Sequence, residues 1–228
     1  TMQTIACRYV VLAITLLAIS LIAVPSLASE PGPAKPSALK SDAFESIDDL
    51  VNKAIAEKKL PGAVVTIGYQ GDLVFQRAYG YRQIEPTPIP MTVDTVFDLA
   101  SLTKPIATAT SVMTLIDQGR IDLEDTVSQH LPEFGNHGKE GITIKQLLLH
   151  TSGLTPDNAI SDYTESPESA IQNVMNLGLN YPTGSKFRYS DVGFIVLGEI
   201  VRRKTGMDLN AYSQQAIFAP LEMKETSY

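Results

Sequence analysis

Two short runs of strand-forming residues, 63–69 and 73–79, are separated only by Gln70-Gly71-Asp72. So brief a connection turns the chain straight back on itself, and the pair predicts a β-hairpin. A helix ahead of it is signalled by Phe44, Ile47, Leu50, Val51 and Ile55 at helical spacing, ended by Pro61-Gly62. Beyond the Pro-rich residues 86–90 the period is helical again. Ile106, Ala109, Val112, Met113 and Ile116 share one face, and Gly119 stands where a helix C-terminus would put it. Thr143 can cap a short helix carrying Leu147 and Leu148, which Gly153 would close. Phe194, Leu197, Ile200 and Val201 mark another helix ending at Gly206, and Leu209, Tyr212, Ala216 and Ile217 mark a last one ending before Pro220. A hairpin followed by helices predicts an α+β fold, with helices gathered beside an antiparallel sheet.

The chain has 228 residues, 44% of them hydrophobic and 19% charged, which suits one globular unit and argues against disorder. Its start reads differently. Residues 10–24 are almost unbroken apolar sequence, preceded by Arg8 and followed by Pro25-Ser26-Leu27-Ala28, the pattern of a secretory signal peptide cleaved after Ala28. The rival is an uncleaved membrane anchor, against which the shortness of the run argues. Either reading exports the protein, so the expected location is secreted or periplasmic, with no stable membrane span if the signal is cleaved. Residues 29–40, rich in Pro, Ser and Ala, read as a linker, and 41–228 as the globular domain.

Cys7 would leave with the signal, so a thiol nucleophile, a thiolate metal site and a lipid-anchoring cysteine are all excluded from the mature chain. Loss of Arg8 leaves 17 basic against 25 acidic residues, a formal charge of −8. That balance argues against nucleic-acid or anionic-membrane binding. His130 and His137 lie in a polar stretch without ligand spacing, and His150, at the end of a short helix, is read as bonding free carbonyls. No metal or cofactor is expected.

Chemistry enters at Ser101-Leu102-Thr103-Lys104. On a helix, residues three apart share a face, which sets the Lys104 amine beside the Ser101 hydroxyl. A serine is a poor nucleophile at neutral pH and needs a base within hydrogen-bond reach, which a desolvated lysine can supply. Pro105 fits if the helix starts at or just before Ser101, where its missing N–H costs least.

Ser-x-x-Lys alone is a weak signal, but further segments accompany it. Phe97-Asp98-Leu99-Ala100 leads into it, Gly119-Arg120-Ile121-Asp122-Leu123-Glu124-Asp125 follows, and Ile142-Thr143-Ile144-Lys145-Gln146-Leu147-Leu148-Leu149-His150-Thr151-Ser152-Gly153-Leu154 comes next. Tyr189-Ser190-Asp191-Val192-Gly193-Phe194 and Pro220-Leu221-Glu222-Met223 complete the series. In this order they resemble the serine β-lactamase and penicillin-binding-protein-like hydrolases over residues 45–228.

The resemblance implies a β-lactamase/transpeptidase-like fold, an antiparallel sheet with a helical subdomain. It makes Ser101 the acylated nucleophile, Lys104 its base or proton carrier, and Tyr189 a partner in that proton work. Asp191 falls at a substrate-binding position where many relatives have Asn; a carboxylate accepts where an amide can donate, and it should favour a charged Lys104. The family's third motif, Lys-Thr-Gly or His-x-Gly on a late strand, has no counterpart after Tyr189. Lys204-Thr205-Gly206 spells it but falls where a helix should end. The resemblance therefore implies an N-terminal part of a longer protein, with the closing strands absent. The expected activity is an exported serine hydrolase acting through an acyl-enzyme on an ester or amide, as a β-lactamase, D-alanyl carboxypeptidase or esterase would, with a small-molecule or peptide substrate. The alternatives are a penicillin-recognising sensor that acylates without turnover, and an inactive remnant. Oligomeric state is left open.

Overall fold

The computed structural model describes residues 44–228. The signal expected at 1–28, the linker at 29–40 and the first three residues of the expected domain lie outside the described residues. The chain divides into two compact units that meet in sequence between Val93 and Asp94.

The first unit holds α1 (Glu45–Ala56) and a three-stranded antiparallel sheet, β1 (Gly62–Tyr69), β2 (Asp72–Gln83) and β3 (Ile89–Pro90), in that order. The hairpin forms where expected, with Tyr69 opposite Asp72. Gln70 and Gly71 both take positive φ, 50° and 88°, which is what a two-residue turn matching strand twist demands. β2 runs on past Tyr79 to Gln83, and the Pro-rich stretch supplies β3 at the edge, where a proline's missing N–H breaks no ladder. α1 is tied to β2 by Asp48, which accepts from the Tyr79 hydroxyl at 2.5 Å and from Arg77. Phe44 adds a ring contact with Phe75 at 4.8 Å.

The second unit is built round α6 (Asp191–Thr205). Val192, Val196, Leu197, Ile200 and Val201 of this helix are all fully buried. Around it α2 (Thr110–Asp117) contributes Val112 and Leu115, α4 (Ile144–Leu148) Ile144 and Leu147, and α5 (Pro167–Met175) Val174 and Met175. The short α3 (Val127–His130) and α7 (Leu209–Ser213) add Val127 and Tyr212. Each such side chain withdrawn from water is worth roughly 1.5–3 kcal/mol, so a helix buried on several faces anchors the unit.

The helix ends explain themselves locally. Ser190 caps α6 by accepting the Gly193 N–H at 3.1 Å, and Gly206 ends it in the left-handed region at φ 76°. Lys204-Thr205-Gly206 is thus a helix terminus. α5 was not anticipated, although Ser166-Pro167 announces it: Ser166 accepts the Ser169 N–H at 3.1 Å and Pro167 occupies the first turn. α4 starts under Thr143 as expected but stops at Leu148, well before Gly153. His150 makes the first left-handed turn after it, at φ 55°. No helix among the described residues is long and apolar enough to cross a membrane.

Candidate active site

All the candidate residues lie in the second unit. The approach to Ser101 is strained, since Ala100 has φ 45°, a region that a residue with a Cβ adopts at a cost of order 1–3 kcal/mol. Asp98 helps hold it by accepting the Ala100 N–H at 2.8 Å. The regular helix start expected at Ser101 is replaced by two irregular turns. A 3₁₀ turn spans Ala100–Leu102, and a wide π-type turn spans Lys104–Ala109 before α2 begins. The looser turn takes in Pro105, whose carbonyl accepts from the Thr110 hydroxyl at 2.8 Å. Lys104 Nζ still reaches Ser101 Oγ, at 3.4 Å.

Tyr189 and Asp191 arrive from the far end of the unit, where an extended strand-like turn runs into α6. That corner is fastened to residues 150–156 by a row of bonds. The Arg188 N–H donates to the His150 carbonyl at 2.7 Å, the Ser190 N–H to His150 Nδ1 at 3.0 Å, the Ser190 hydroxyl to the Thr155 carbonyl at 2.7 Å, and the Asp191 N–H to the Pro156 carbonyl at 2.7 Å. Gly153, at φ 88°, leaves room for the Tyr181 carbonyl, which a Cβ there would strike. This gives the His150-Thr151-Ser152-Gly153 segment its structural task, as the seat of the Tyr189 corner. The expectation that His150 bonds free carbonyls is corrected, because its ring nitrogen accepts an N–H from another segment.

Lys104 is the hub. Its side chain is 14% exposed and forms an ion pair with the Asp191 carboxylate. Its ammonium also stands 4.8 Å from the Tyr189 ring centre and 5.9 Å from that of Phe194. Burial pulls the ammonium toward neutrality, but bonding to Asp191 and then Tyr189 outweighs it and holds Lys104 above the ordinary lysine range. The Tyr189 phenol is pulled below its ordinary value by hydrogen bonding with Lys104 and then with Ser101. A phenol that gives up its proton more readily, beside a hydroxyl and a fixed cation, can act as a base toward that hydroxyl.

A pocket of about 460 Å³ opens over Ser101, Lys104 and Tyr189, walled by Leu99, Leu102, Leu148 and Phe194. A larger cleft of about 610 Å³ runs along α6 and meets the site only at Thr103, Lys104, Asp191 and Phe194. The smaller one contains the nucleophile candidate and is the candidate reaction space. Among the described residues, no group of three or more His, Cys, Asp or Glu is placed to hold a metal ion.

Residues 47–228 match the family model described as Beta-lactamase. An N-acetylmuramyl-L-alanine amidase of Bacillus subtilis (strain 168) is 33% identical over 214 residues, which is 86% of this chain and 48% of that protein. Among solved structures, the octameric penicillin-binding protein homologue from Pyrococcus abyssi aligns with a TM-score of 0.69 at 26% identity, over 79% of this chain and 43% of the other. EstCE1, a hydrolase with promiscuous acyltransferase activity, aligns with a TM-score of 0.69 at 29% identity, over 80% of this chain and 53% of the other. The chain spans about half the length of the curated relatives it matches, or less.

Proposed function

The chain belongs to the β-lactamase family, a family of hydrolases with an α+β fold, and we propose that the protein is an exported serine hydrolase forming an acyl-enzyme on an ester or amide. Ser101 is the nucleophile, and the observation that carries the reading is its hydroxyl 3.4 Å from an ammonium that Asp191 keeps charged. Lys104 therefore serves as the fixed cation and Tyr189 as the base. In its deprotonated form Tyr189 takes the Ser101 proton as Oγ attacks the carbonyl carbon, and returns it to the leaving group as the tetrahedral intermediate collapses. Water then attacks the acyl carbonyl as it gives a proton to Tyr189, which passes that proton to Ser101 Oγ as the carboxylic acid departs, restoring the starting state. Esters, D-alanyl peptides and β-lactams all present such a carbonyl.

Asp191 bears on which of them is used. A carboxylate in place of an amide offers a substrate no donor, so activated esters are favoured over β-lactams. The reading is tested by labelling the whole protein with a fluorophosphonate. Ser101→Ala should abolish labelling; a variant that still labels sinks the nucleophile assignment. Following the acyl-enzyme from p-nitrophenyl butyrate by mass spectrometry separates turnover from stalling, since a species that persists for hours indicates a sensor instead.

A further inference from the structure

His150 has no part in the acyl transfer proposed for Ser101, yet it brackets Tyr189 on both sides in the chain. Its carbonyl accepts the Arg188 N–H at 2.7 Å, and its Nδ1 accepts the Ser190 N–H at 3.0 Å. Its ring packs on the Tyr189 ring with centres 4.6 Å apart and 32° between planes, with Phe194 at 5.0 Å and Phe187 edge-on at 5.7 Å. The phenol is thus fixed through both its backbone and its face by one residue. His150 itself sits at φ 55°, where histidine, asparagine and aspartate are tolerated better than most residues.

A ring nitrogen that accepts a hydrogen bond carries no proton. With Nδ1 facing the Ser190 N–H, the imidazole is neutral and its proton is on Nε2. The charged and titratable groups around it are the Lys104 ammonium, the Asp191 carboxylate and the Tyr189 phenol. Burial and then Lys104 disfavour a second cation there, while Asp191 opposes them, and the balance keeps the imidazole neutral further into acid than a free histidine. Once Nδ1 is protonated, two donors face each other across the Ser190 bond and a new positive charge adjoins Lys104. The corner carrying Tyr189 must then move.

We propose that His150 is a positioning residue for Tyr189, holding the phenol against Ser101 only while its imidazole is neutral, so that acid disengages the site by protonating His150. The proposal rests on the hydrolase reading of the same site. Three variants of the whole protein separate the two, each followed by the rate of fluorophosphonate labelling from about pH 4 to 8, the range in which a histidine titrates. His150→Phe keeps a ring but removes the acceptor, and should slow labelling at neutral pH by roughly 10–100-fold, the scale of loss when a reacting group is displaced by an ångström. His150→Asn restores an acceptor oxygen near the Nδ1 position, tolerates the left-handed backbone and does not titrate. It should recover at least about tenfold of that loss, as a regained hydrogen bond would allow, and keep the acid fall set by Tyr189 as base while losing the additional, steeper step that His150 protonation adds in the wild type.

Nitrogen-detected NMR of the wild-type imidazole provides the check that needs no variant to fold. It should show the Nε2–H tautomer, with a titration midpoint matching the additional acid step in labelling. A His150→Asn profile that keeps the additional acid step, a His150→Phe protein that labels at the wild-type rate, or an Nδ1–H tautomer would each overturn the proposal. Labelling of Ser101→Ala, in contrast, overturns the hydrolase reading and leaves the phenol that His150 positions with no nucleophile to serve.

Discussion

The second unit withdraws two lysines from water and treats them in opposite ways. Lys104 is partly buried against Asp191 and Tyr189, which together more than offset burial and keep it charged. Lys139 is fully buried and meets no carboxylate. Its ammonium donates to the Asn136 side chain at 2.9 Å, to the Met175 carbonyl at 2.8 Å and to the Leu177 carbonyl, with the Phe134 ring centre 4.9 Å away. Neutral dipoles repay only part of the lost hydration. Burial pulls Lys139 down to about 8, with Glu140 opposing weakly. The difference teaches that a lysine taken out of water keeps its proton firmly where a formal negative partner stands against it, and loses its hold where burial is met by neutral dipoles alone. One lysine is wired into the candidate active site, and the other staples the loop after Phe134 to the end of α5.

Exchanging the roles by mutation should therefore give opposite phenotypes. Lys104→Ala should cut the labelling rate by about 10³-fold or more, since groups that act as a unit fail together, and leave thermal stability nearly unchanged. Lys139→Met should leave the rate per folded molecule near wild type but lower stability by about 2–4 kcal/mol, because two backbone carbonyls and an amide oxygen lose their donor. Urea unfolding and labelling on both variants check this. A Lys139→Met protein more stable than wild type would show that the cost of burying the charge exceeds the worth of its bonds.

The pH dependence sharpens the same contrast. Lys139 binds its proton with a pKa of about 8 when folded and near 10.5 when unfolded. Between these values the unfolded chain holds more protons, so stability must rise with pH across the window. Below about 8 the full penalty, about 3 kcal/mol, is present, and above 10.5 it has gone. Subtracting the pH profile of Lys139→Met from that of wild type isolates this change; a flat difference would mean that the carbonyls compensate the charge entirely.

The smallest effect expected is at Asp191. Asp191→Asn removes the carboxylate paired with Lys104 and supplies an amide donor, so the ratio of p-nitrophenyl butyrate to chromogenic cephalosporin turnover should fall by about tenfold, the scale of one hydrogen bond gained by the substrate. An unchanged ratio would show that Asp191 does not choose the substrate.

Much of the fold was legible because its signals are local. The Gln70-Gly71 turn, the Thr143 cap and the Gly206 terminus each act through neighbouring backbone, so the hairpin, α4's start and the end of α6 could be placed from sequence. α5 spans only nine residues, a run too short for Ile171, Val174 and Met175 to stand out as a period despite its Ser-Pro start. β3 hid among prolines, since an edge strand of two residues leaves no alternation to see. The turns around Ser101 were illegible in kind, because a 3₁₀ turn followed by a π-type turn answers to the packing of Pro105 and Lys104 and not to a period.

The sequence by itself determined that Ser101 and Lys104 would be neighbours, since three positions along any helical turn bring two side chains together whatever else the chain does. It also determined a cap at Thr143 and a stop at Gly206. Only the tertiary structure decided that Asp191 pairs with Lys104, that Tyr189 gives up its proton more readily, and that His150 faces Ser190 through a ring nitrogen. These contacts join segments far apart in the chain. Their geometry is set by the buried packing of α6 and the loop after α4, and so is a property of the folded unit and of no stretch of residues alone.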